Sequence, residues 1–297
     1  MVSLCLGVSI LWFRFIRVRI PMTSPWFSLA FGLYLLAAGG FTVFIIRQQK
    51  WVFRWSYWLL VAGFLSHTMF LGYGYYQLGL APVLDLRSAL SFFAWSLVGV
   101  YLIVQVRFKL MVLGSFVAPL AAFLMIISSA MPLTAGPVKP LFKSLWLTIH
   151  VGTVFAGDAL LTIACLAAIM YLIQERQIKQ KRLGSMYNRL PSLATLDHIN
   201  YYSIVYGFPF LTVGMMTGSV YAQVALGRYW QWDPKEVWSL VLWLFYAALL
   251  HQRLAVGWQG RRAAIMSIVC FGVLIFTFVG VSLLMGGYHS FSSMGAR

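Results

Sequence analysis

Charge is what this sequence has least of. Only 9% of its 297 residues are Asp, Glu, Lys or Arg, and just six are acidic. Against 61% hydrophobic residues, that leaves no stretch able to form a soluble domain of any size. Cysteine is scarce too. Cys5, Cys165 and Cys270 each stand in apolar sequence with no CxxC spacing, which excludes a zinc site or a thiol-exchange motif of this chain's own. Internal repeats and low-complexity linkers are also missing. A secondary transporter built from inverted repeats is correspondingly disfavoured.

What is present is a succession of apolar runs, each about 20 residues long, the length needed to cross a bilayer as a helix. Eight can be counted, near 27–46, 57–76, 88–106, 110–130, 146–173, 201–224, 237–256 and 264–286. The fold class is all-α, a polytopic transmembrane bundle in the lipid bilayer. The net charge of +16 would suggest a nucleic-acid partner in a soluble protein, but here the basic residues gather between spans, so no nucleic-acid partner is expected. Thirteen lie in the odd-numbered loops: Arg47, Lys50, Arg54, Arg107, Lys109, Arg176, Lys179, Lys181, Arg182, Arg189, Arg253, Arg261 and Arg262. Six lie opposite, at Arg87, Lys139, Lys143, Arg228, Lys235 and Arg297, which directs the odd loops to the cytoplasm. Arg14, Arg17 and Arg19 oppose that assignment unless residues 1–26 form an interfacial segment or a partial extra span. Their position after the apolar stretch, with no small-residue cleavage site, does not fit a signal peptide. Residues 27–297 then form a single transmembrane domain.

This orientation gathers on the outer face the polar loop near 225–237, the 131–145 loop and the C-terminus. The loop reads Leu226-Gly227-Arg228-Tyr229-Trp230-Gln231-Trp232-Asp233-Pro234-Lys235-Glu236. Asp233 and Glu236 with Pro234 have the pattern of a cap on the seventh span, and a rigid cap would also hold the tryptophans. His150 opens the fifth span and His289 follows the eighth, so both fall beside this loop. His251 lies 14 residues beyond Val237, roughly 21 Å deeper at about 1.5 Å per residue, near the cytoplasmic side. His67 is in mid-span two, where a hydrogen bond to a neighbouring helix competes with a functional role. His198 reads as an ordinary interfacial residue, and Asp158, inside the fifth span, is either protonated or paired across the bundle.

Two neutral imidazoles from separate helices can clamp a flat iron macrocycle axially, while aromatic side chains cover its faces and basic residues pair with its propionates. Arg228, Tyr229, Trp230, Trp232, Lys235 and Trp238 supply that mixture within eleven residues. Each residue type also has a bland explanation, since Trp and Tyr form aromatic belts at membrane interfaces and interfacial histidines are commonly structural.

The string Trp230-x-Trp232-Asp233-Pro234-Lys235-Glu236, then Trp238, Leu250-His251-x-Arg253, Gly260-Arg261-Arg262 and Gly287-x-His289-Ser290-Phe291, resembles the CcsA (ResC) family of cytochrome c biogenesis proteins, marked by the tryptophan-rich WWD signature. His67-Thr68 and Ser88-Ala89-Leu90-Ser91-Phe92-Phe93-Ala94-Trp95 extend the likeness, which covers roughly residues 60–297. The resemblance implies a subunit of a cytochrome c synthetase, or haem lyase, of the bacterial inner membrane with its WWD loop and C-terminus on the periplasmic face. Haem b would be its transported substrate. His150 and His289 would be the external axial ligands and His251 the inner ligand, completed by the CcsB (ResB) partner. Tyr229, Trp230, Trp232, Asp233, Pro234, Lys235, Glu236 and Trp238 would form the haem pocket, with Arg228 facing a propionate and His67 auxiliary. The other partners implied are apocytochrome c with its CxxCH thiols and a thiol-reducing thioredoxin-like protein. Such a protein works by ligation and positioning, without a nucleophile or an acid–base residue of its own. Two positions depart from the family pattern: Leu226 stands where Trp is common, and Gln231 where Gly is. A CcmC-like haem delivery protein shares the WWD loop but has six spans and lacks the inner histidine; a non-haem membrane transporter is the remaining alternative.

Overall fold

A computed structural model describes residues 24–78, 83, 85–131, 145–181 and 184–285. Among these the chain is helical throughout, in the order α1 (Pro25–Arg47), α2 (Lys50–Leu78), α3 (Leu86–Phe108), α4 (Gly114–Ala130, led in by a 3-10 turn), α5 (Leu145–Lys179), the short α6 (Ser185–Arg189), α7 (Leu193–Leu226), α8 (Pro234–Leu254), α9 (Arg261–Ile275) and α10 (Val281–Leu284). A π-turn, Phe276–Gly280, joins α9 to α10, making one last rod over Arg261–Leu284. Seven of these segments are long and apolar enough to cross a membrane. The further long helix is α2, whose 29 residues rise about 43 Å. Trp51, Trp55 and Trp58 are exposed at its start and Tyr73, Tyr75 and Tyr76 towards its end, the two aromatic belts expected of a spanning helix.

The eight spans expected from the apolar runs are all present as helices. The fifth and sixth spans run past their apolar limits at 173 and 201, because α5 continues to Lys179 and α7 starts at Leu193. Side-chain bonds explain the extra turns. Ser192 caps α7 through its hydroxyl, which accepts from the Thr195 N–H, while Glu175 accepts from Lys179 one turn on and from Arg261 of α9.

Two apolar clusters meet on α5. The larger joins α1 to α4 around Tyr34, Phe41, Leu97, Tyr101 and Met125 and takes Phe155, Ile163 and Ala167 from α5. The smaller brings Leu161 and Ala164 of α5 against Ile204 and Leu211 of α7, Tyr246 of α8 and Cys270 of α9. Lipid tails are as apolar as leucine, so the closest helix pair relies on small residues that let backbones approach. A Cβ on Gly157 would stand 3.0 Å from the Leu211 nitrogen, and one on Gly214 2.6 Å from a Val154 methyl. α5 and α7 therefore lie in near-backbone contact. Cys165 and Cys270 are buried in this packing, consistent with small core residues.

Candidate haem-ligand and WWD-loop site

The end of the α5–α7 pair where α5 begins and α7 finishes holds the first candidate ligand. His150 Nδ1 lies 2.7 Å from the Gly214 carbonyl oxygen of α7. A backbone carbonyl only accepts, so Nδ1 is the protonated nitrogen and a neutral ring carries its lone pair on Nε2. This is the second-sphere arrangement that orients metal-binding histidines. One turn further, Gly218 makes room for the ring, since a Cβ there would come within 2.7 Å of Cε1 and 2.8 Å of Nδ1. The next residue, Ser219, donates its hydroxyl to the Tyr229 carbonyl at 2.8 Å. A single stretch of α7 thus grips the candidate imidazole and the aromatic loop together.

The loop is held from its own ends. Gly227 closes α7 with φ +76°, its N–H returning to Gln223 O at 3.0 Å; a left-handed residue there favours glycine. Asp233 caps α8, accepting from the Lys235 N–H at 2.9 Å, with Pro234 in the first turn, as its sequence pattern predicts. Glu236 completes the capping box. Its Oε2 accepts from the Asp233 N–H at 3.2 Å and from the Gln231 N–H at 2.8 Å. Between these two bonds sits Trp232, at φ +57°, a conformation that costs an L-residue about 1–2 kcal/mol. The result is two indoles at right angles, Trp230 and Trp232, with centroids 5.8 Å apart. Trp232 is 77% exposed, whereas the Trp230 Nε1–H is enclosed with no acceptor among the described residues. Tyr229 and Arg228 are exposed on the same loop.

Below the loop, Trp238 packs edge-on to Phe276 of the π-turn at 4.6 Å, and its carbonyl accepts from Thr277. Lys235 turns towards the same segment, donating to Ser282 Oγ at 3.0 Å with its ammonium 6.0 Å from the centre of the Phe278 ring. A π-turn of this kind often marks a functional position.

At the other end of α8, His251 is exposed while Arg253, two residues on and therefore on the opposite side of the helix, is buried. The Arg253 guanidinium donates to Asn200 Oδ1 at 2.8 Å and to Asp197 Oδ2 at 2.9 Å and lies over Tyr201. Asn200 donates in turn to Ala164 O and Ser267 Oγ, and Asp197 accepts from the Gly260 N–H. Four long helices are pinned at one polar node beside His251. His67 lies elsewhere, fully buried among α1, α2 and α3. Its Nε2 is 3.0 Å from Ser91 Oγ of α3 and its Nδ1 has no partner among the described residues. A hydrogen bond to a neighbouring helix is one of the two roles read for it from sequence, the other being auxiliary to haem handling. His198 is exposed near the start of α7, edge-on to Tyr202. His289, Lys139, Lys143 and residues 1–23 lie outside the described residues.

Sequence reasoning picked out His150 and the loop but missed Gly214, Gly218 and Ser219, which hold them, and Ser282 and Phe278, which meet Lys235. The one available signal was the Gly-x3-Gly spacing of 214 and 218, which marks a close helix approach without naming the neighbour.

A polytopic helical membrane protein carrying this loop falls in a defined class: residues 83–289 match the family of cytochrome C assembly proteins. Within it, cytochrome c biogenesis protein CcsA of Guillardia theta is 30% identical over 296 residues, covering 93% of both chains. CcsA of Synechococcus elongatus is 32% identical over 272 residues, 76% of this chain and 84% of that one. CcsA of Chlamydomonas reinhardtii is 37% identical over 219 residues, 71% of this chain and 60% of that one. The chain belongs to the CcsA family of cytochrome c biogenesis proteins. Among solved structures, the cytochrome c haem lyase CcmF shares the fold with a TM-score of 0.59 and 17% identity, over 90% of this chain and 47% of CcmF, so this chain spans about half the length of that protein.

Proposed function

We propose that this protein is the CcsA subunit of a cytochrome c synthetase of the bacterial inner membrane, carrying haem b from the cytoplasmic side to the periplasmic face and presenting it to CxxCH apocytochrome c. The observation that carries this reading is the α7 turn, which fixes the His150 tautomer through Gly214 and the WWD loop through Ser219. His150 and His289 are the outer axial ligands. Trp230, Trp232 and Tyr229 supply the aromatic surface, with Arg228 available to a propionate.

His251 is the inner ligand. It is exposed on the side of α8 opposite Arg253 and the polar node. A CcsB subunit supplies the second ligand for iron at His251. Its separation from Val237 along α8, about 21 Å, sets the distance the cargo travels.

Chemistry at the outer site is addition of a thiol across a vinyl group: S–C and C–H bonds form, the S–H bond and the vinyl π-bond are lost, and no net oxidant is consumed. The protein's part is proximity. Iron held between two imidazoles is coordinatively closed until the histidine of CxxCH replaces one of them, which places the two thiols beside the vinyls. The thiols must arrive reduced, which a thioredoxin-like partner ensures.

The test is order of transfer. In membranes containing the partner subunit and a CxxCH reporter, His251→Gly should empty both sites and abolish thioether formation, whereas His150→Gly should leave haem at the inner site alone. Attachment that continues at the wild-type level in His251→Gly would exclude the proposed route.

A further inference from the structure

Two charges inside the bundle have no part in ligation, Asp158 of α5 and Lys235 of α8. Ionised side chains within spans are costly and pair with one another or mark a functional position. Asp158 is buried, two turns below His150 on the same helix, about 12 Å along the axis. Lys235 is the second residue of α8, next to the cap that ends the WWD loop. For both groups burial weighs most; among the charges, Asp158 comes ahead of Asp233 for Lys235, and Lys235 is the one that bears on Asp158.

The surrounding contacts run the same way. The Lys235 ammonium bonds Ser282 Oγ at 3.0 Å and stands over the Phe278 ring. Phe278 in turn meets Phe155 of α5 edge-on at 5.7 Å and Phe93 of α3 at 5.6 Å. Phe155 is one turn before Asp158. From one side chain, then, contacts or charge reach the helix that follows the aromatic loop, the end of the last span and the helix that carries His150.

We infer that Lys235 is a positioning residue of the outer site: tied to Ser282 and Phe278, and through Phe278 to Phe155 of α5, it holds α8 and its preceding loop in register with α5, so that the tryptophans and the His150 imidazole keep a fixed relation. This rests on the outer haem site proposed above. Ser219 fixes the WWD loop to α7 and Lys235 fixes the helix that follows it to the last span, so loss of Lys235 lets α8 and the capped loop end shift against that span. Lys235 acts through the residues it holds and takes no part in ligation. Its effect belongs with those of second-sphere residues, whose loss costs about 10- to 100-fold in affinity.

The experiment compares haem content and axial-ligation spectra of the full chain, purified with its partner subunit, for wild type, Lys235→Met, Lys235→Arg, Asp158→Asn and the Lys235→Met/Asp158→Asn pair, with His150→Gly as benchmark. Lys235→Met should lose haem about 10-fold or more faster and shift from a low-spin towards a mixed spectrum, with added imidazole restoring the low-spin form. Lys235→Arg should retain most of the wild-type signature. Asp158→Asn should be milder, and the double variant should recover part of the loss, since it leaves no uncompensated charge. A wild-type spectrum and haem retention in Lys235→Met, with His150→Gly defective, would overturn the inference alone. Should His150→Gly also match wild type, the outer site itself is lost. If Lys235→Met fails to accumulate in membranes, Asp158→Asn and the double variant decide. Additive rather than compensating defects, or no double variant recovered, overturn the pairing.

Discussion

Gly218→Ala puts the proposed outer site under the most selective strain, because the nearest atoms to the one it adds all belong to His150. The new Cβ would lie 2.7 Å from His150 Cε1 and 2.8 Å from Nδ1, where carbon contacts relax to about 3.5–4.0 Å. The obstacle is the end of a side chain, so the helices can stay in place while the imidazole moves by about 1 Å. Such a movement breaks the 2.7 Å bond to Gly214 O, and with it the constraint that keeps the proton on Nδ1. The expected stability cost is that of modest overpacking plus one hydrogen bond, about 1–3 kcal/mol. The functional cost is of similar size but falls on the site, about 10- to 100-fold in haem retention. Absorbance spectra of the purified protein across an imidazole titration measure it: Gly218→Ala should lose the low-spin spectrum and regain it with added imidazole, while its melting temperature in detergent falls modestly. An unaltered low-spin spectrum and haem half-life in Gly218→Ala would refute the argument that α7 orients His150.

Three further outcomes follow from other parts of the structure. Glu236→Ala removes the acceptor of both the Gln231 and Asp233 N–H groups and should destabilise by about 1–3 kcal/mol, with Trp232 leaving its left-handed conformation, read as a change in tryptophan fluorescence and faster protease cleavage of the loop. Arg253→Met leaves Asp197 and Asn200 without their shared donor and should cost about 2–4 kcal/mol in a thermal melt, discounted from a fully buried pair because Asp197 is 20% exposed. His67→Leu gives up the Ser91 bond but also an imidazole nitrogen with no acceptor or donor opposite it, so its melt should move by less than about 1 kcal/mol and cytochrome c maturation should continue; a maturation defect with an unchanged melt would place His67 on the transfer route.

The sequence carried the spans because burial in hydrocarbon imposes a length, and apolar runs report it directly. Runs at 27–46 and 88–106 correspond to helices Pro25–Arg47 and Leu86–Phe108. The helix ends were less legible where polar residues extend them. Asp197 and Asn200 look like loop residues until Arg253, more than 50 positions away, is seen to need them. The cap on α8 was readable, since Asp233, Pro234 and Glu236 carry it locally. What holds His150 was not, because Gly214 and Gly218 have no side chains to advertise a role and the contact depends on the register between α5 and α7. The π-turn has no compositional mark either, and the meeting of Lys235 with Ser282 depends on it. The candidate ligands themselves came from the resemblance to the CcsA family, which spacing in the chain alone does not supply.

The account turns on one iron shared by His150 and His289, which lies beyond the described residues. Electron paramagnetic resonance of ferric haem added to complex purified in a His251→Gly background, where the inner site stays empty, tests it most directly, with those two positions kept as histidine or changed singly to glycine. A low-spin bis-imidazole signal with both histidines kept that disappears in both single variants, and returns in both when imidazole is added, is the predicted result. Persistence of that signal in either variant without imidazole would contradict it.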